Sequence, residues 1–327
     1  MNQLISIQEA QDLIQSGKAF SFAGSESVLD QLPPGNWIAG TIPYFMVATG
    51  GVVVTEGQVF ATDLSSIGTV SIATYDDAHL ADISGNAPES GFSLAIIPAG
   101  SAAHQSFAAG AANYEHAFLR PTVGWISGVH LSQLGSVTPK VYDGRTATKY
   151  ENRAVVAYVA LADDKLASIE IVNLFEPSDS DVLHFSGTSF EVQDCEVNGV
   201  KENFATYIRR KGLENGALPL VGDYSGAFIN VSLQTVGEAG GSVTMYAPTF
   251  AGIDYRFAKP VGNYAAAFKE RIAAQNADGL VISCNCILNF LFGELEGKAI
   301  GGLAGPITFG EIAYQLLNQT MVVVRIL

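Results

Sequence analysis

The sequence predicts an α+β fold in which mixed or largely antiparallel β-sheets are flanked by helices and divided between two lobes. Many short apolar segments are separated by turn residues, a pattern typical of paired strands. A smaller number of segments carry apolar residues at helical spacing. The two kinds of segment do not alternate regularly, so the sequence does not favour a parallel sheet built from repeated strand–helix–strand units.

The N-terminal lobe is predicted to cover residues 1–140. Residues 6–16 form a predicted amphipathic helix, which Ser6 caps with Glu9 three residues further on, as in a capping box. The apolar segments 37–47 and 52–60 predict a hairpin, and residues 101–118 predict a helix of small residues. Residues 136–153 carry both charge signs and turn residues, and we expect the boundary between the lobes there.

The C-terminal lobe is predicted to cover residues 154–327. Segments 154–162 and 166–174 flank three charged residues and predict a second hairpin. Residues 263–276 predict an amphipathic helix with Gln275 on its stripe. An apolar run over 280–282 then delivers Cys284 and Cys286 to the end of a strand. Gly310-Glu311-Ile312 is predicted to open a short helix, and residues 318–320 lead into a terminal strand.

The composition excludes several classes of protein. Hydrophobic residues make up 48% of the 327 residues and charged residues 15%, which is typical of a globular chain. The net charge of −15, without a basic stripe, opposes nucleic-acid binding. No apolar run is long enough to cross a membrane, and the first residues lack the features of a signal peptide. An odd number of cysteines, three, makes a disulfide framework improbable, and we therefore expect a cytoplasmic protein.

Motifs that would identify a cofactor or a metal are missing from the sequence. The glycine-dense residues 301–305 are not followed by the Gly-Lys-Ser/Thr of a phosphate loop. The five histidines have no metal-binding spacing, and Cys284-x-Cys286 is an unhelpful spacing for zinc. Residues 124–128 place serine one position too late for a nucleophile elbow. We therefore expect no cofactor and no metal.

Two residues near the C-terminus remain open to more than one interpretation. Cys284 at a strand end could be a reactive thiol, or it could fill the core or line a pocket. Glu311 lies in an otherwise apolar passage, where a buried carboxylate must be paired or hydrogen-bonded. It could complete a capping box with Thr308, or it could face a ligand.

The order of motifs in the last fifty residues resembles the C-terminal portion of FIST domains (F-box and intracellular signal transduction). Those domains end with a strand leading into a Ser-Cys pair, a glycine-rich connection, a Gly-Glu-Ile box and a turn into the last strand. The corresponding segments are Ser283-Cys284, residues 301–305, Gly310-Glu311-Ile312 and Asn318-Gln319-Thr320. The chain resembles a divergent member, because Asn285-Cys286-Ile287 stands where many members have a Gly-Arg.

The resemblance implies a sensory module that binds a small ligand such as an amino acid. Some members of that family bind haem, but no histidine lies in the matched motifs here. We expect a non-catalytic sensor whose polar groups come from Cys284, Asn285, Gly310, Glu311 and Asn318, with output through a signalling partner or a homo-oligomer. The alternatives are a thiol-dependent, hydrolase-like enzyme that uses Cys284 and a distant histidine, and an interaction protein without a pocket.

Overall fold

The computed structural model describes residues 1–273, 279–299 and 301–327. Within these ranges the helices are α1 (Ile7–Gln15), α2 (Glu26–Leu29), α3 (Asp82–Gly85), α4 (Ala102–Gly110), α5 (Phe204–Lys211), α6 (Tyr264–Ala273) and α7 (Ile287–Phe292). The strands before the predicted boundary are β1 (Asn2–Ser6), β2 (Phe20–Gly24), β3 (Trp37–Thr41), β4 (Tyr44–Val47), β5 (Gly50–Val53), β6 (Gln58–Asp63), β7 (Thr69–Tyr75), β8 (Gly91–Pro98) and β9 (Thr122–Ser127).

The later strands are more numerous and mostly short. In chain order they are β10 (Val141–Asp143), β11 (Thr148–Tyr150), β12 (Ala154–Ala160), β13 (Ala167–Val172), β14 (Leu183–His184), β15 (Ser189–Val192), β16 (Asp194–Val197), β17 (Val200–Asn203), β18 (Leu220–Tyr224), β19 (Ala227–Val231), β20 (Leu233–Val236), β21 (Val243–Thr249), β22 (Asp254–Phe257), β23 (Leu280–Cys286), β24 (Gly305–Thr308), β25 (Glu311–Ala313), β26 (Gln315–Leu317) and β27 (Met321–Ile326).

The strands form sheets that are either mixed or antiparallel, which confirms the predicted α+β class. The first sheet has the order β1-β6-β2-β3-β10-β11, and the second has the order β26-β25-β9-β8-β12-β7. The third sheet has the order β13-β27-β23-β24-β4-β5. A fourth sheet, β17-β16-β14-β22-β18-β19, and a three-stranded sheet, β15-β21-β20, are built from residues 183–257. Only the pairs β2–β3, β8–β9 and β23–β24 are parallel among the described strands.

The first two sheets pack face to face, with helices on their outer faces. Their inner faces share one large core, in which Ile38 of β3 lies with Ile96 and Trp125 of the second sheet. Gly40 marks the closest approach, since a Cβ atom there would lie 2.6 Å from the side chains of Ile96 and Trp125. Helices α1 and α2 cover the outer face of the first sheet, and α3 and α4 cover that of the second.

Local signals in the sequence located several elements correctly. The capping box at α1 is present, since the Ser6 backbone N–H donates to Glu9 Oε2 at 2.8 Å and Glu9 N–H donates to Ser6 Oγ at 3.2 Å. The hairpin predicted around residues 49–51 is the β4–β5 pair. The helix predicted over 263–276 is α6 in the described range, while its predicted end, including Gln275, lies outside the described residues.

Three predicted elements are wrong. Residues 310–312 do not open a helix, because Glu311 is the first residue of strand β25, which pairs with β9. The helix predicted over 101–118 ends at Gly110, a poor helix former, and His116 lies beyond it with a φ of 63°. The segments around residues 163–165 do not pair with each other, because β12 joins the second sheet and β13 joins the third.

The boundary predicted at residues 136–153 contains a hairpin of the first sheet, β10–β11. The third sheet combines β4 and β5, which precede that boundary, with strands that follow it. The division into lobes of residues 1–140 and 154–327 stays a prediction. None of the helices in the described ranges has both the length and the apolar character that a bilayer crossing requires.

Candidate functional site

The residues predicted to form a pocket lie on the third sheet and at the edge of the second. Cys284 and Asn285 are on β23, Gly310 immediately precedes β25, Glu311 begins β25, and Asn318 precedes β27. Cys284 and Asn285 are each 2% exposed, Asn318 is 1% exposed and Glu311 is 0% exposed. The sequence therefore identified a group of polar side chains that the fold buries.

Glu311 is the centre of a buried polar cluster, which we call the Glu311 cluster and define as Glu311, Thr308, Thr320 and Cys286. Thr320 Oγ1 donates to Glu311 Oε2 at 2.8 Å, and Thr308 Oγ1 lies 3.2 Å from Glu311 Oε1. The Thr320 backbone N–H and the Cys286 thiol lie close enough to the carboxyl group to lower its pKa. The Thr-x-x-Glu pattern thus produces a side-chain contact, although no helix follows it.

Burial raises the pKa of Glu311 from 4.5 to about 8, although the surrounding hydrogen bonds lower it. The carboxyl group is therefore largely uncharged at neutral pH. The geometry at Thr308 agrees with this state, because its hydroxyl lies within 3.3 Å of the carbonyls of Asn285 and Gly310 as well as Glu311 Oε1. One hydroxyl proton cannot serve all of these acceptors, whereas a protonated Glu311 can donate to Thr308 Oγ1.

Cys284 is placed as a core residue. Its thiol donates to the Gly124 carbonyl at 3.3 Å across the interface between the second and third sheets. Burial, and then the negative charge that Glu311 carries once it ionises, raise the pKa of the Cys284 thiol well above its usual value. The same two causes raise the pKa of Cys286. Both effects disfavour the thiolate that nucleophilic catalysis requires.

Asn285 belongs to a chain of hydrogen-bonded polar side chains whose other members, Asn289 and Tyr264, were not predicted from the sequence. Its Oδ1 accepts a hydrogen bond from Asn289 Nδ2 at 2.8 Å, and Asn289 Nδ2 also donates to the Thr320 carbonyl at 2.8 Å. Tyr264 of α6 donates to Asn289 Oδ1. Asn285 Nδ2 is buried and has no hydrogen-bond partner among the described residues. The available signal was a second asparagine, Asn289, only four residues after Asn285 in an otherwise apolar passage.

Asn318 and Gly310 are occupied by structural contacts. Asn318 Oδ1 accepts from the Ser232 backbone N–H at 2.8 Å, and its Nδ2 donates to the Asn230 carbonyl at 3.1 Å. These two bonds connect the start of β27 to the β19–β20 segment. The Gly310 carbonyl accepts from the Ile126 N–H at 2.8 Å. The Asn318 side chain and the Gly310 carbonyl are therefore engaged in contacts within the fold.

The structure brings the predicted residues together without leaving space between them. The crevice that Cys284 and Asn285 line with Ser283 and Met321 is too narrow to admit a water molecule. A ligand could reach this region only if the third sheet opened. The described structure therefore offers no pocket at the residues that the sequence singled out.

A larger opening lies at the carboxyl ends of three strands, and we call it the strand-end cleft. Its volume is about 630 Å³, which is within the usual range for small-molecule sites. Ser25 follows β2, Ile42 follows β3 and Gly128 follows β9, and all three residues line it. Parallel strands deliver their carboxyl ends to one edge of a sheet, where ligands commonly bind in open sheets.

Backbone hydrogen bonds fix the rim of the strand-end cleft. The Gly128 N–H donates to the Thr41 carbonyl at 2.7 Å, which joins the first and second sheets at this end. Three hydrogen bonds also join Thr41 to Lys140. Thr41 N–H donates to the Lys140 carbonyl and Lys140 N–H donates to Thr41 Oγ1, each at 2.9 Å, and Thr41 Oγ1 donates to the Lys140 carbonyl at 3.3 Å. The cleft is therefore formed by elements that hold one another in place.

His130 supplies one wall of the strand-end cleft. Its ring stacks on Tyr44 with a centroid distance of 5.6 Å and an interplanar angle of 16°. Nδ1 accepts from the Ser132 backbone N–H at 3.3 Å and lies 2.7 Å from Ser132 Oγ. A neutral imidazole in this arrangement carries its proton on Nε2, which leaves a donor at the cleft wall.

Acidic side chains also line the strand-end cleft. Glu26 accepts from Lys140 at 2.9 Å and from Lys149 at 2.7 Å, and Lys149 also bonds Asp30. Partial burial pushes the pKa of Glu26 upward, but the hydrogen bonds and charges of the two lysines lower it below its usual value. Glu56 adds an exposed carboxylate to the lining. The cleft thus combines carboxylate and hydroxyl acceptors with hydroxyl and imidazole donors.

A second opening, of about 560 Å³, lies beside β14, β15 and β16. Its lining runs along residues 184–196 with Lys201 added, so one continuous stretch of chain forms most of it. His184 Nε2 lies 2.6 Å from Asp254 Oδ1, and Lys201 is paired with Asp194 at 3.1 Å. The strand-end cleft differs because residues distant in sequence converge on it.

Sequence reasoning missed the strand-end cleft. The spacing of the histidines does not single out His130, and no motif marks Glu26, Asp30 or Glu56, although all four residues line the cleft. Polar residues directly after predicted strands were the signal that could have indicated it. Within the described ranges, no group of three or more His, Cys, Asp or Glu side chains is placed to hold a metal ion.

Comparison with known proteins identifies a family but no function. No curated protein matches the chain. One family model matches residues 5–327, almost the whole sequence, and its description is a family of unknown function, DUF6976. The chain belongs to the DUF6976 family.

Proposed function

We propose that this chain is a non-catalytic sensory domain of intracellular signal transduction that binds an amino acid or a similarly small metabolite in the strand-end cleft. The observation that carries the proposal is the cleft itself, about 630 Å³ in volume and formed where β2, β3 and β9 end. The resemblance of the C-terminal stretch to FIST domains supports a sensory role. The residues predicted in that stretch are buried and leave no space for a ligand, which favours the cleft as the binding site.

The chemistry of the cleft suits a ligand that carries both an ammonium group and a carboxylate. The Glu56 carboxylate and the Ser25 hydroxyl can accept hydrogen bonds from an ammonium group. The imidazole N–H of His130 and the amide of Gln133 can donate to a carboxylate. Because Glu26 and Asp30 are already paired with lysines, the local charge is less negative than the number of carboxylates suggests.

The thiol-dependent alternative is less well supported. Cys284 is 2% exposed, its thiol is bonded to a backbone carbonyl, and burial raises its pKa. A nucleophilic thiol requires the opposite environment, with a partly exposed sulfur beside a cation or a base. These contacts support a packing role for Cys284.

A thermal-shift screen with amino acids and related metabolites tests the proposal. A compound that saturates the cleft at a hundred times its Kd should stabilise the fold by about 2.7 kcal/mol, which corresponds to a shift of several degrees. His130→Ala should abolish the shift. His184→Ala is the matched control, because this histidine lines the other opening and is likewise bonded to one side chain.

Three results would contradict the proposal. One is a screen in which no compound stabilises the wild-type protein. Another is a ligand shift that His130→Ala leaves unchanged, which would place the site elsewhere. The third is a shift lost in His184→Ala but kept in His130→Ala, which would favour the opening at residues 184–196.

A further inference from the structure

Strand β13 is an edge strand of the third sheet, and its outer side lacks a neighbouring strand. It pairs with β27 from Ala167↔Ile326 to Val172↔Met321 and ends the order of that sheet. Within the described ranges, its other side makes no backbone–backbone hydrogen bond. A row of unpaired N–H and C=O groups is a template for another strand.

The register shows which residues of β13 point outward. Leu166 and Leu327 exchange both backbone hydrogen bonds, at 3.2 and 2.9 Å, so this pair is a hydrogen-bonded pair of the ladder. Hydrogen-bonded and non-bonded pairs alternate in an antiparallel ladder. Every second residue from Leu166 therefore faces β27, and the N–H and C=O groups of Ala167, Ile169 and Ile171 point away from it.

The other long edge strand provides a contrast. In β7, which ends the second sheet, Arg145 Nη1 donates to the Ile72 carbonyl at 2.7 Å. This side chain comes from the turn between β10 and β11 and occupies a carbonyl group of the edge strand, and covering an edge with a neighbouring loop is a known protection against strand pairing. Among the described residues, no side chain bonds the backbone of β13 in this way. Apolar side chains are exposed along this edge, because Ile171 of β13 is 36% exposed and Leu166, just before it, is 66% exposed.

We propose that β13 pairs antiparallel with β13 of a second copy of this chain, with the twofold axis at Ile169. This register places Ala167 opposite Ile171 of the partner and Ile169 opposite itself. All three outward residues then form hydrogen-bonded pairs, each of which exchanges two bonds. The exposed Ile171 side chain packs on the small Ala167 of the other copy.

The charges on β13 agree with a second copy as the occupant. Glu170 is the one charged residue between Ala167 and Val172, and the axis at Ile169 places it opposite Ser168 of the partner. A carboxylate opposite a hydroxyl avoids the like-charge contact that would oppose self-pairing. The sheet of one copy then continues into that of the other, which closes the assembly as a dimer.

Sedimentation equilibrium of the full chain over a range of concentrations tests the proposal. The mass should rise from that of one chain, 34.5 kDa, toward twice that value. Raising the salt concentration should strengthen the dimer, because each copy carries a net charge of −15. Ile171→Pro should remain a single chain, because proline removes an outward N–H and none of the bonds to β27. Ile171→Ala keeps that N–H and should still dimerise.

Charge substitutions at Ser168 test the register itself. Ser168→Glu puts a carboxylate opposite Glu170 twice in the dimer and should raise the dissociation constant about fivefold or more. Ser168→Lys should lower it by a similar factor. The same two substitutions at the exposed, distant Ser136 change the net charge equally and should have smaller effects.

The following results would overturn the proposal. A wild-type mass of one chain at all concentrations would show that the edge is not a dimer contact. A folded Ile171→Pro variant that still dimerises would place the interface elsewhere. If that variant does not fold, the two charge substitutions at Ser168 still test the proposal. Changes in the dimer dissociation constant no larger than those caused by the same substitutions at Ser136 would refute the register.

Discussion

Replacing Glu311 by glutamine should make the stability of the protein less sensitive to pH. Glu311 is fully buried in the Glu311 cluster, and its pKa rises from 4.5 in the unfolded chain to about 8 in the fold because of desolvation. Between these two values the folded state holds a proton that the unfolded state has released. The free energy of unfolding therefore falls as the pH rises through this window.

The size of the effect follows from the difference between the two pKa values. Each unit corresponds to about 1.36 kcal/mol, so the rise from 4.5 to about 8 amounts to roughly 5 kcal/mol. The contribution is fully present below pH 4.5 and is lost by the time the pH exceeds 8. Glutamine does not titrate, so the free-energy difference between Glu311→Gln and wild type should increase by about 1.4 kcal/mol per pH unit in the middle of the window.

Urea unfolding at half-unit steps from pH 5 to pH 9, followed by tryptophan fluorescence, measures this difference. Glu294→Gln is the matched control, because that glutamate side chain is 83% exposed and pairs only with Lys298 among the described residues. Its free-energy difference from wild type should vary by a few tenths of a kcal/mol. A difference between Glu311→Gln and wild type that stays constant across the range would refute the neutral, buried carboxyl.

Three further predictions concern packing. The Cys284 thiol should react with a disulfide reagent only as fast as the protein unfolds, because the side chain is 2% exposed and its thiol is bonded to a carbonyl. Labelling in native buffer at the rate of a free thiol would contradict this buried position. Asn318→Ala should lower the free energy of unfolding by about 2–4 kcal/mol in urea, since it leaves two buried backbone groups without partners; a loss below 0.5 kcal/mol would contradict this. Gly40→Ala should lower the free energy of unfolding by about 1–3 kcal/mol, because the new Cβ would lie 2.6 Å from the side chains of Ile96 and Trp125. An unchanged melting temperature would argue against that close approach of the two sheets.

Elements whose signals are local could be predicted from the sequence. The α1 helix is one case, because the bonds between Ser6 and Glu9 form within a single turn. Strand β23 is another, because its apolar run does not depend on which strand pairs with it. The fold class followed from the same kind of observation.

Elements that depend on distant partners could not be predicted. Thr308 and Glu311 have the spacing of a capping box, but pairing of Glu311 with Trp125 of β9 makes this segment a strand. The strand-end cleft has the same origin. Ser25, Thr41 and Gly128 are far apart in sequence, and only the parallel pairing of β2 with β3 and the contact between the two sheets bring them together.

The predicted site residues illustrate a further limit. The sequence marked Cys284, Asn285 and Glu311 as unusual polar residues in an apolar context, and the structure does bring them near one another. A polar residue in an apolar passage can mark a binding site or a satisfied buried network. The difference is whether space is left beside it, and side-chain packing between sheets decides this.

The decisive measurement is a crystal structure of the protein with a compound that stabilises it. Density for the compound is expected in the strand-end cleft, within hydrogen-bonding distance of His130 and between the ends of β3 and β9. Density confined to the opening at residues 184–196, or inside the Glu311 cluster with the third sheet opened, would contradict the proposed site.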